Sequence, residues 1–508
     1  MIMAGDDEKL GGQVLPDIGE MIHGIVGGDE VSVLLLADML GQGAAIFEVT
    51  PKGPIELASR ASLDTGDPRP LSSFLAIGLS SFSKETRIAL GFWGHGSGVF
   101  GDLDPHENLI PDALMELPLG KRITETMFLE NYLAEPMPIK SLFTRGMLPD
   151  ASTGGILTNR ELSSALAVAF SRAGRTEPVD MMFFDTCQNG AVEVYAEMRR
   201  YCKTFVASCL VVPGMGWNYT WFLQMTRQGL PRTAADWAKH AIAAFDKTYD
   251  QSLYPTPVQL VAIDSNADFL EKLQVIAQRL KEMDPATRAE LMQCSQHLDA
   301  VAHDESVDMC SLILALKETT TDDALVAACD DFRKAYSDSV IAISAPANDG
   351  KAYHGLSLWC PRMGDAVSVS KYYQNLRFHK ETGWFDVIKE MVKDEAPRRA
   401  DPIFMILSFQ GLELLEAREV KTTVLDPDDH GMHHLLLSIP EKSKRVSQKV
   451  WNFARVTSGR TRSCQHTQRS WLHVTESRNS ALPSGATLRI GAPTLAAGSG
   501  LGPGVVRQ

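Results

Sequence analysis

The chain has 508 residues, 44% hydrophobic and 22% charged, with a mean hydropathy of -0.09, and no stretch reaches the roughly 18 to 20 uninterrupted apolar residues of a membrane span. The first residues, Met1-Ile2-Met3-Ala4-Gly5-Asp6-Asp7, lack the basic region and apolar core of a secretory signal, so the expectation is a cytoplasmic protein with no membrane partner. The net charge is -14, but residues 441–508 carry eleven Lys and Arg against two acids, a net of +9, which leaves -23 on the first 440; an acidic body argues against nucleic-acid binding, which depends on neutralising phosphates.

The first part alternates strands with helices. Val31 to Leu36 is apolar on both parities and predicts a fully buried strand. Thr86 to Trp93 predicts another, ending in the run Gly94-His95-Gly96-Ser97-Gly98. The segment from Gly101 to Gly155 holds prolines at 105, 111, 118, 136, 138 and 149 and reads as a long insertion of the functional or mobile kind. A helix follows at Leu157 to Phe170, opened by the capping box Thr158 and Glu161. Val179 to Phe184 is a third buried strand, a helix runs from Ala191 to Tyr201, and Thr204 to Val212 is a fourth strand. This rhythm predicts an α/β sheet with parallel neighbours.

From about Asp264 helices dominate: Phe269 to Met283, Pro285 to His303 and Asp322 to Tyr336, followed by strand-like Val340 to Ser344 and Gly355 to Trp359. Phe404 to Phe409 and His434 to Ile439 suggest a late β extension. The expected organisation is a catalytic domain over 1–263, a helix-rich portion over 264–395, a β extension over 396–440, and a basic low-complexity tail over 441–508 with no packed core. The eight cysteines show no CxxC pair or metal cadence and read as free thiols.

Cys187 stands apart from the other cysteines. It ends the buried strand VDMMFFDTC just before a helix, at the carboxyl edge where open α/β sheets place ligands. The positive end of that helix is expected to favour the nucleophilic thiolate. His95 ends a second strand between glycines that let backbone approach a ligand. It is placed to act as general acid and base for Cys187, with the Gly96 N–H aimed at a carbonyl oxygen. Gly96 to Gly101 spells GxGxxG, but Asp102-Leu103-Asp104-Pro105 follows, which breaks the helix a dinucleotide site requires and repels phosphate. HGSG also suggests a lipase-type oxyanion loop, yet the chain has no GxSxG elbow.

With these residues in place, the chain resembles the clostripain-like cysteine peptidases, relatives of caspases, legumains and gingipains. The resemblance runs in order over roughly residues 1 to 395: Met1 to Leu10; Asp64-Thr65-Gly66-Asp67-Pro68 with Leu71 and Phe74; Trp93 to Gly98; Leu157 to Leu162; Phe184-Asp185-Thr186-Cys187 with Glu193; Val212 to Tyr219; Gly355 to Leu358; and Thr382-Gly383-Trp384. It implies a caspase-like three-layer sandwich with a largely parallel sheet, and an endopeptidase acting on polypeptides through a thioester. Cys187 is then the nucleophile, His95 its partner, and the Gly96 and Cys187 N–H groups the oxyanion hole. Asp185 and Ser208 are implied in substrate binding, Asp185 as the acid that receives Arg or Lys at P1. An active enzyme of that specificity would cut itself between Gly120 and Gly155, at Lys121-Arg122, Lys140 or Arg145.

Three departures accompany the resemblance. Gln188-Asn189 stand where apolar residues are usual and alter the expected cleft wall. Ser208-Cys209-Leu210 lacks the acid that often follows the serine, which weakens basic specificity. The chain also starts inside the expected first strand, which leaves export open. The alternative reading is a catalytically silent member that binds or regulates. No cofactor is expected: calcium is the one candidate, but neither Asp102, Asp104 and Glu107 nor Asp426, Asp428, Asp429 and His430 has the spacing of a calcium loop, and both read as solvated acidic loops.

Overall fold

The computed structural model describes residues 1–99, 147–249, 257–301, 306–345, 351–360 and 373–393, apart from isolated positions within them, and three strands beyond residue 420. Met1–Asp394 forms one compact unit. Its elements begin with β1 (Ile2–Gly5), α1 (Val14–Ile25), β2 (Val33–Met39), β3 (Gly43–Thr50), β4 (Gly53–Arg60), α2 (Pro68–Ser81) and β5 (Ala89–Trp93). They continue with α3 (Asn159–Arg172), β6 (Val179–Asp185), α4 (Val192–Met198), β7 (Cys202–Ala207), α5 (Tyr219–Gln228), α6 (Ala234–Thr248), β8 (Val261–Asp264) and α7 (Phe269–Glu282). After α8 (Pro285–Met292), β9 (Ser306–Asp308), α9 (Met309–Thr319) and α10 (Asp323–Ser339) come β10 (Val340–Ile343), β11 (Ser357–Trp359), α11 (Arg377–Thr382) and α12 (Trp384–Lys393).

Nine strands form one sheet in the order β10-β8-β7-β6-β5-β1-β2-β3-β4. The five central strands β7, β6, β5, β1 and β2 run parallel, and the antiparallel pairings lie toward the two edges. Helices cover both faces, as a buried parallel sheet demands. One face packs Phe92, Met182, Phe184 and Phe205 under α2, α3, α4 and the later helices; the other packs Trp93, Met181, Phe183 and Val206 under α1, α5 and α6. This is the expected three-layer α/β sandwich.

The local signals explain several elements. Thr158 Oγ1 accepts from Glu161 N at 3.0 Å and Glu161 Oε2 accepts from Thr158 N at 2.8 Å, so the capping box forms as read. β2 runs on through Asp38 to Met39, beyond the apolar run, because Asp38 still pairs with Ala4 of β1. The helix expected over Pro285 to His303 stops at Met292 and continues as a 3-10 turn, Gln293–His297. Among the described residues the seven cysteines are free thiols. Glu395–Gln508 is a separate unit in which β12 (Lys421–Val424), β13 (His433–Ser438) and β14 (Thr487–Ala492) form an antiparallel sheet in that order. β14 lies inside the tail read as coreless; its alternation Leu488, Ile490 is too short to stand out from Ser- and Gly-rich surroundings. The stretch Phe404 to Phe409, the expected self-cleavage positions in the insertion and both acidic loops lie outside the described residues.

Packing is close where β5 meets β6. A Cβ on Gly91 would lie 2.1 Å from Phe183 Cζ, and the Phe183 ring is stacked on Trp217 at 4.9 Å between centroids, so it has nowhere to retreat. Gly91→Ala should therefore cost about 1–3 kcal/mol of stability through overpacking. A urea unfolding midpoint equal to that of the parent chain would show that the ring moves aside freely.

Candidate active site

The site is built by register. In the parallel ladder of β5 with β6, Trp93 pairs with Asp185, so His95 and Cys187, each two residues further on, leave the sheet side by side at its carboxyl edge. Gly94 N then donates to Asp185 O at 3.2 Å. A Cβ on Gly96 would lie 2.4 Å from Cys187 O and 2.9 Å from Thr186 Cβ, so only glycine permits this approach. Asn189, fully buried, locks the two loops: its Oδ1 accepts from Gly98 N at 3.1 Å and its Nδ2 donates to Thr186 Oγ1 at 2.7 Å. The expectation that Asn189 alters the cleft wall is therefore corrected; it is an internal tie. Among the described residues neither the Gly96 nor the Cys187 N–H has a hydrogen-bond partner.

His95 is 37% exposed, and its Nε2 lies 2.9 Å from Asp7 Oδ2. Burial pushes the Asp7 carboxyl up, but the imidazole and the Lys9 and Leu10 N–H groups outweigh it and hold the carboxyl below its ordinary range. The other ring nitrogen, Nδ1, is left for chemistry. On the far side, His95 O accepts from Leu148 N at 3.1 Å. Asp7 was visible only as part of an acidic turn; nothing in the sequence spacing joins it to a histidine eighty-eight residues away.

Cys187 is partly buried, and its thiol donates to Val212 O at 3.6 Å. Burial pushes the thiol above its ordinary value, the Val212 contact lowers it, and the Asp185 charge adds to the rise. The following helix, α4, opens at Val192 and has seven residues, and burial is the largest influence on the thiol. Gln188 adopts a left-handed φ of 63° as the chain turns away from the strand, with its N–H bound to Leu210 O at 3.0 Å.

Asp185 is 4% exposed. Its Oδ2 accepts from Trp217 N at 2.9 Å and from Tyr219 Oη at 2.7 Å. Burial raises its carboxyl to about 6, the two hydrogen bonds oppose this, and the Glu20 charge adds to it. Asp17 on α1 is raised further, to about 8, by burial with the charges of Asp185 and Glu20 contributing. Ser208 is brought near but turned inward. It is 1% exposed, and its hydroxyl donates to Leu210 O at 3.1 Å and accepts from Leu210 N at 3.0 Å, so the hydroxyl of this residue, implied in substrate binding, is engaged within its own loop.

The later part of the unit props up the Cys187 loop. Ser357 N donates to Gly190 O at 2.8 Å, and Glu193 Oε1 accepts from Trp359 N at 2.9 Å and Tyr373 Oη at 2.8 Å. Burial raises the Glu193 carboxyl to about 7.

The clostripain family model matches residues 1–110 and 138–391 of this chain. A secreted C11 cysteine protease from Bacteroides thetaiotaomicron, solved with an irreversible peptide inhibitor, is similar with a TM-score of 0.52 and 17% identity, over 75% of this chain and 97% of that one. An inactive zymogen C11 protease from Parabacteroides distasonis gives a TM-score of 0.50 at 17% identity, over 75% of this chain and 96% of that one. Likeness at this identity shows a shared fold. No curated protein matches the chain significantly.

Asp185 yields a test of the electrostatics that is independent of activity. Its folded value of about 6 lies above the ordinary aspartate value of 3.8, so the folded state holds the proton more tightly and loses stability as pH rises from about 4 to 6. Asp185→Asn keeps acceptors for Trp217 and Tyr219 without the charge. It should be more stable than the parent at pH 7 by roughly 2–3 kcal/mol, with the gap closing as pH falls below 4. Equal thermal melts at pH 7 would show that the buried charge costs nothing.

Proposed function

The chain belongs to the clostripain family and is a cysteine protease, and we propose that it cuts polypeptides after Arg or Lys with Cys187 and His95 as its catalytic pair. The observation that carries this reading is the pairing of Trp93 with Asp185, which brings both residues to one sheet edge beside two N–H groups that have no partner among the described residues.

In this mechanism Cys187 Sγ attacks the scissile carbonyl carbon and its proton passes to His95 Nδ1, since Nε2 faces Asp7. The thiol's raised value means that the proton leaves during attack rather than before it. The oxygen of the tetrahedral intermediate takes its hydrogen bonds from the Gly96 and Cys187 N–H groups. Collapse breaks the C–N bond, and His95 gives its proton to the departing amine. Water, deprotonated by His95, then cleaves the thioester, and His95 returns the proton to the departing sulfur. Asp7 acts as a positioning residue that fixes the ring and its tautomer.

Basic specificity is supported by the charge around Asp185. No basic side chain pairs with it among the described residues, while Asp17 and Glu20 lie close enough to raise one another. Both of its hydrogen bonds fall on Oδ2, which leaves Oδ1 for a substrate cation. A cation there offsets the desolvation of the Asp185 carboxylate, a gain that a neutral side chain does not offer.

Cys187→Ala and His95→Ala should each abolish turnover of Arg-containing peptides while leaving the thermal melt near that of the parent. In parallel, Asp185→Asn should lose at least tenfold more kcat/KM on Arg and Lys substrates than on neutral ones. Retained turnover by Cys187→Ala sinks the nucleophile assignment, and equal losses on both substrate classes make Asp185 structural only.

A further inference from the structure

The segment that props the Cys187 loop is itself held by an aspartate and a histidine that the peptidase chemistry does not use. Asp308 closes β9, opposite Ser357 of β11 in their antiparallel pairing. It is 4% exposed, and its carboxylate holds two segments at once. Its Oδ1 accepts from Ser311 N at 2.8 Å, which caps α9, and lies 2.8 Å from His354 Nδ1. Its Oδ2 accepts from His354 N at 2.8 Å. Tyr336 of α10 completes the grip: its Oη donates to His354 O at 2.8 Å and accepts from Leu356 N at 3.2 Å. Leu356 O in turn accepts from Met309 N at 3.1 Å. His354 is thus fastened by its ring and by both of its backbone groups.

What this fastening holds is the turn after the nucleophile. Ser357, next after Leu356, donates to Gly190 O from its N–H at 2.8 Å and from its hydroxyl at 3.4 Å. Gly190 N donates to Ser208 O at 2.7 Å, and a Cβ on Gly190 would lie 2.4 Å from Cys209 N. The turn is therefore gripped between β11 and the chain that follows β7, three residues past Cys187. We propose that Asp308 and His354 are positioning residues that act through Ser357 and Gly190 to fix the Cys187 turn, with a strength that depends on the protonation of His354.

The hydrogen bond to Asp308 raises the His354 imidazole above its ordinary value; burial opposes this, the Asp308 charge adds to it, and the Arg333 charge on α10 opposes it. The other titratable groups around the pair keep their protons through neutral pH, because burial pushes Tyr336 on α10, Cys310 on α9 and Cys209 after β7 well up. With a folded value above the ordinary 6.5, the charged grip is fully made below pH 6.5 and is lost as pH rises through the raised value. The His354 side chain is 45% exposed, so water screens the pair and the effect is a few-fold one.

Any change in turnover rests on the peptidase reading, whereas the hydrogen bonds of the turn do not, so both are measured on the full chain. Amide exchange is followed over residues 188–190, where the Gln188 and Gly190 N–H groups are bonded, at about pH 6 and about pH 8.5, corrected for the intrinsic rate at each. Protection in the parent should be about threefold higher at the lower pH. His354→Ala should lose that difference and lower protection at both. His354→Asn, whose amide N–H can replace Nδ1–H without titrating, should hold protection level across the two. On an Arg-containing peptide, His354→Ala should lower kcat about threefold with KM unchanged, and His354→Asn should restore it, with a ratio to the parent that rises with pH. Should His354→Ala not fold, the comparison of His354→Asn with the parent decides. Equal protection at both pH values in the parent, or parent-like protection in His354→Ala, overturns the proposal, as does an unchanged kcat once protection is lost. A chain that turns over no peptide still returns the exchange result, so failure of the peptidase reading is told apart from failure of the clamp.

Discussion

Everything at the active edge depends on the parallel register between β5 and β6. A shift of one residue would send either His95 or Cys187 to the opposite face, since side chains alternate along a strand. The register is held by apolar packing on both faces, Phe92 on Phe184 at 5.2 Å and Phe183 on Trp217 at 4.9 Å, and it is sealed by glycine. Gly91 accommodates the Phe183 ring and Gly96 accommodates the Cys187 carbonyl. The same closeness that fixes the strands sets Gly96 against the Cys187 backbone. Fold and candidate chemistry thus share one constraint.

A second feature of this edge is its concentration of buried acids. Asp17, Asp185 and Glu193 are raised to about 8, 6 and 7 by burial, and Asp6, Asp38 and Asp150 form a further group. Such clusters destabilise a fold unless something positive meets them. Around Asp185 the proposed answer is transient, a basic substrate side chain. Around Glu193 it is partly built in: Trp359 N–H and Tyr373 O–H donate to Oε1, while Oε2 is buried without a partner among the described residues.

Much of this was legible in the sequence where the signal is local. β5 and β6 are apolar on both parities, Thr158 and Glu161 announce α3, and the glycines around His95 mark a close approach. The resemblance carried the pairing of His95 with Cys187 before any geometry was available. What stayed hidden was what only tertiary proximity creates: the Asp7 contact, the meeting of Asp6 with Asp38 and Asp150, and the tie made by Asn189. The hairpin of β3 and β4 and the helix α1 also passed unnoticed, although α1 supplies Asp17 and Glu20. The loss of water around the Cys187 sulfur was equally hidden, because burial of a loop residue is set by segments distant in sequence.

The helical portion after β8 explains why motifs far apart in sequence belong together. β10 joins the main sheet by pairing with β8, and β11 runs beside the Cys187 loop, with an isolated parallel bridge between Ala191 and Ser357. The carbonyl of Gly190 and the carboxylate of Glu193 would otherwise be buried acceptors with no donor, each costing a few kcal/mol by order of magnitude. Ser357, Trp359 and Tyr373 provide those donors. Gly355 shows how closely the segment is seated: it has a φ of 109°, and a Cβ there would lie 2.6 Å from Val261 Cγ2 of β8. A loop that leaves a strand, turns through a left-handed residue at Gln188 and re-enters a short helix has little regular structure of its own. It holds its shape because a segment about 170 residues later supplies the hydrogen bonds that it lacks.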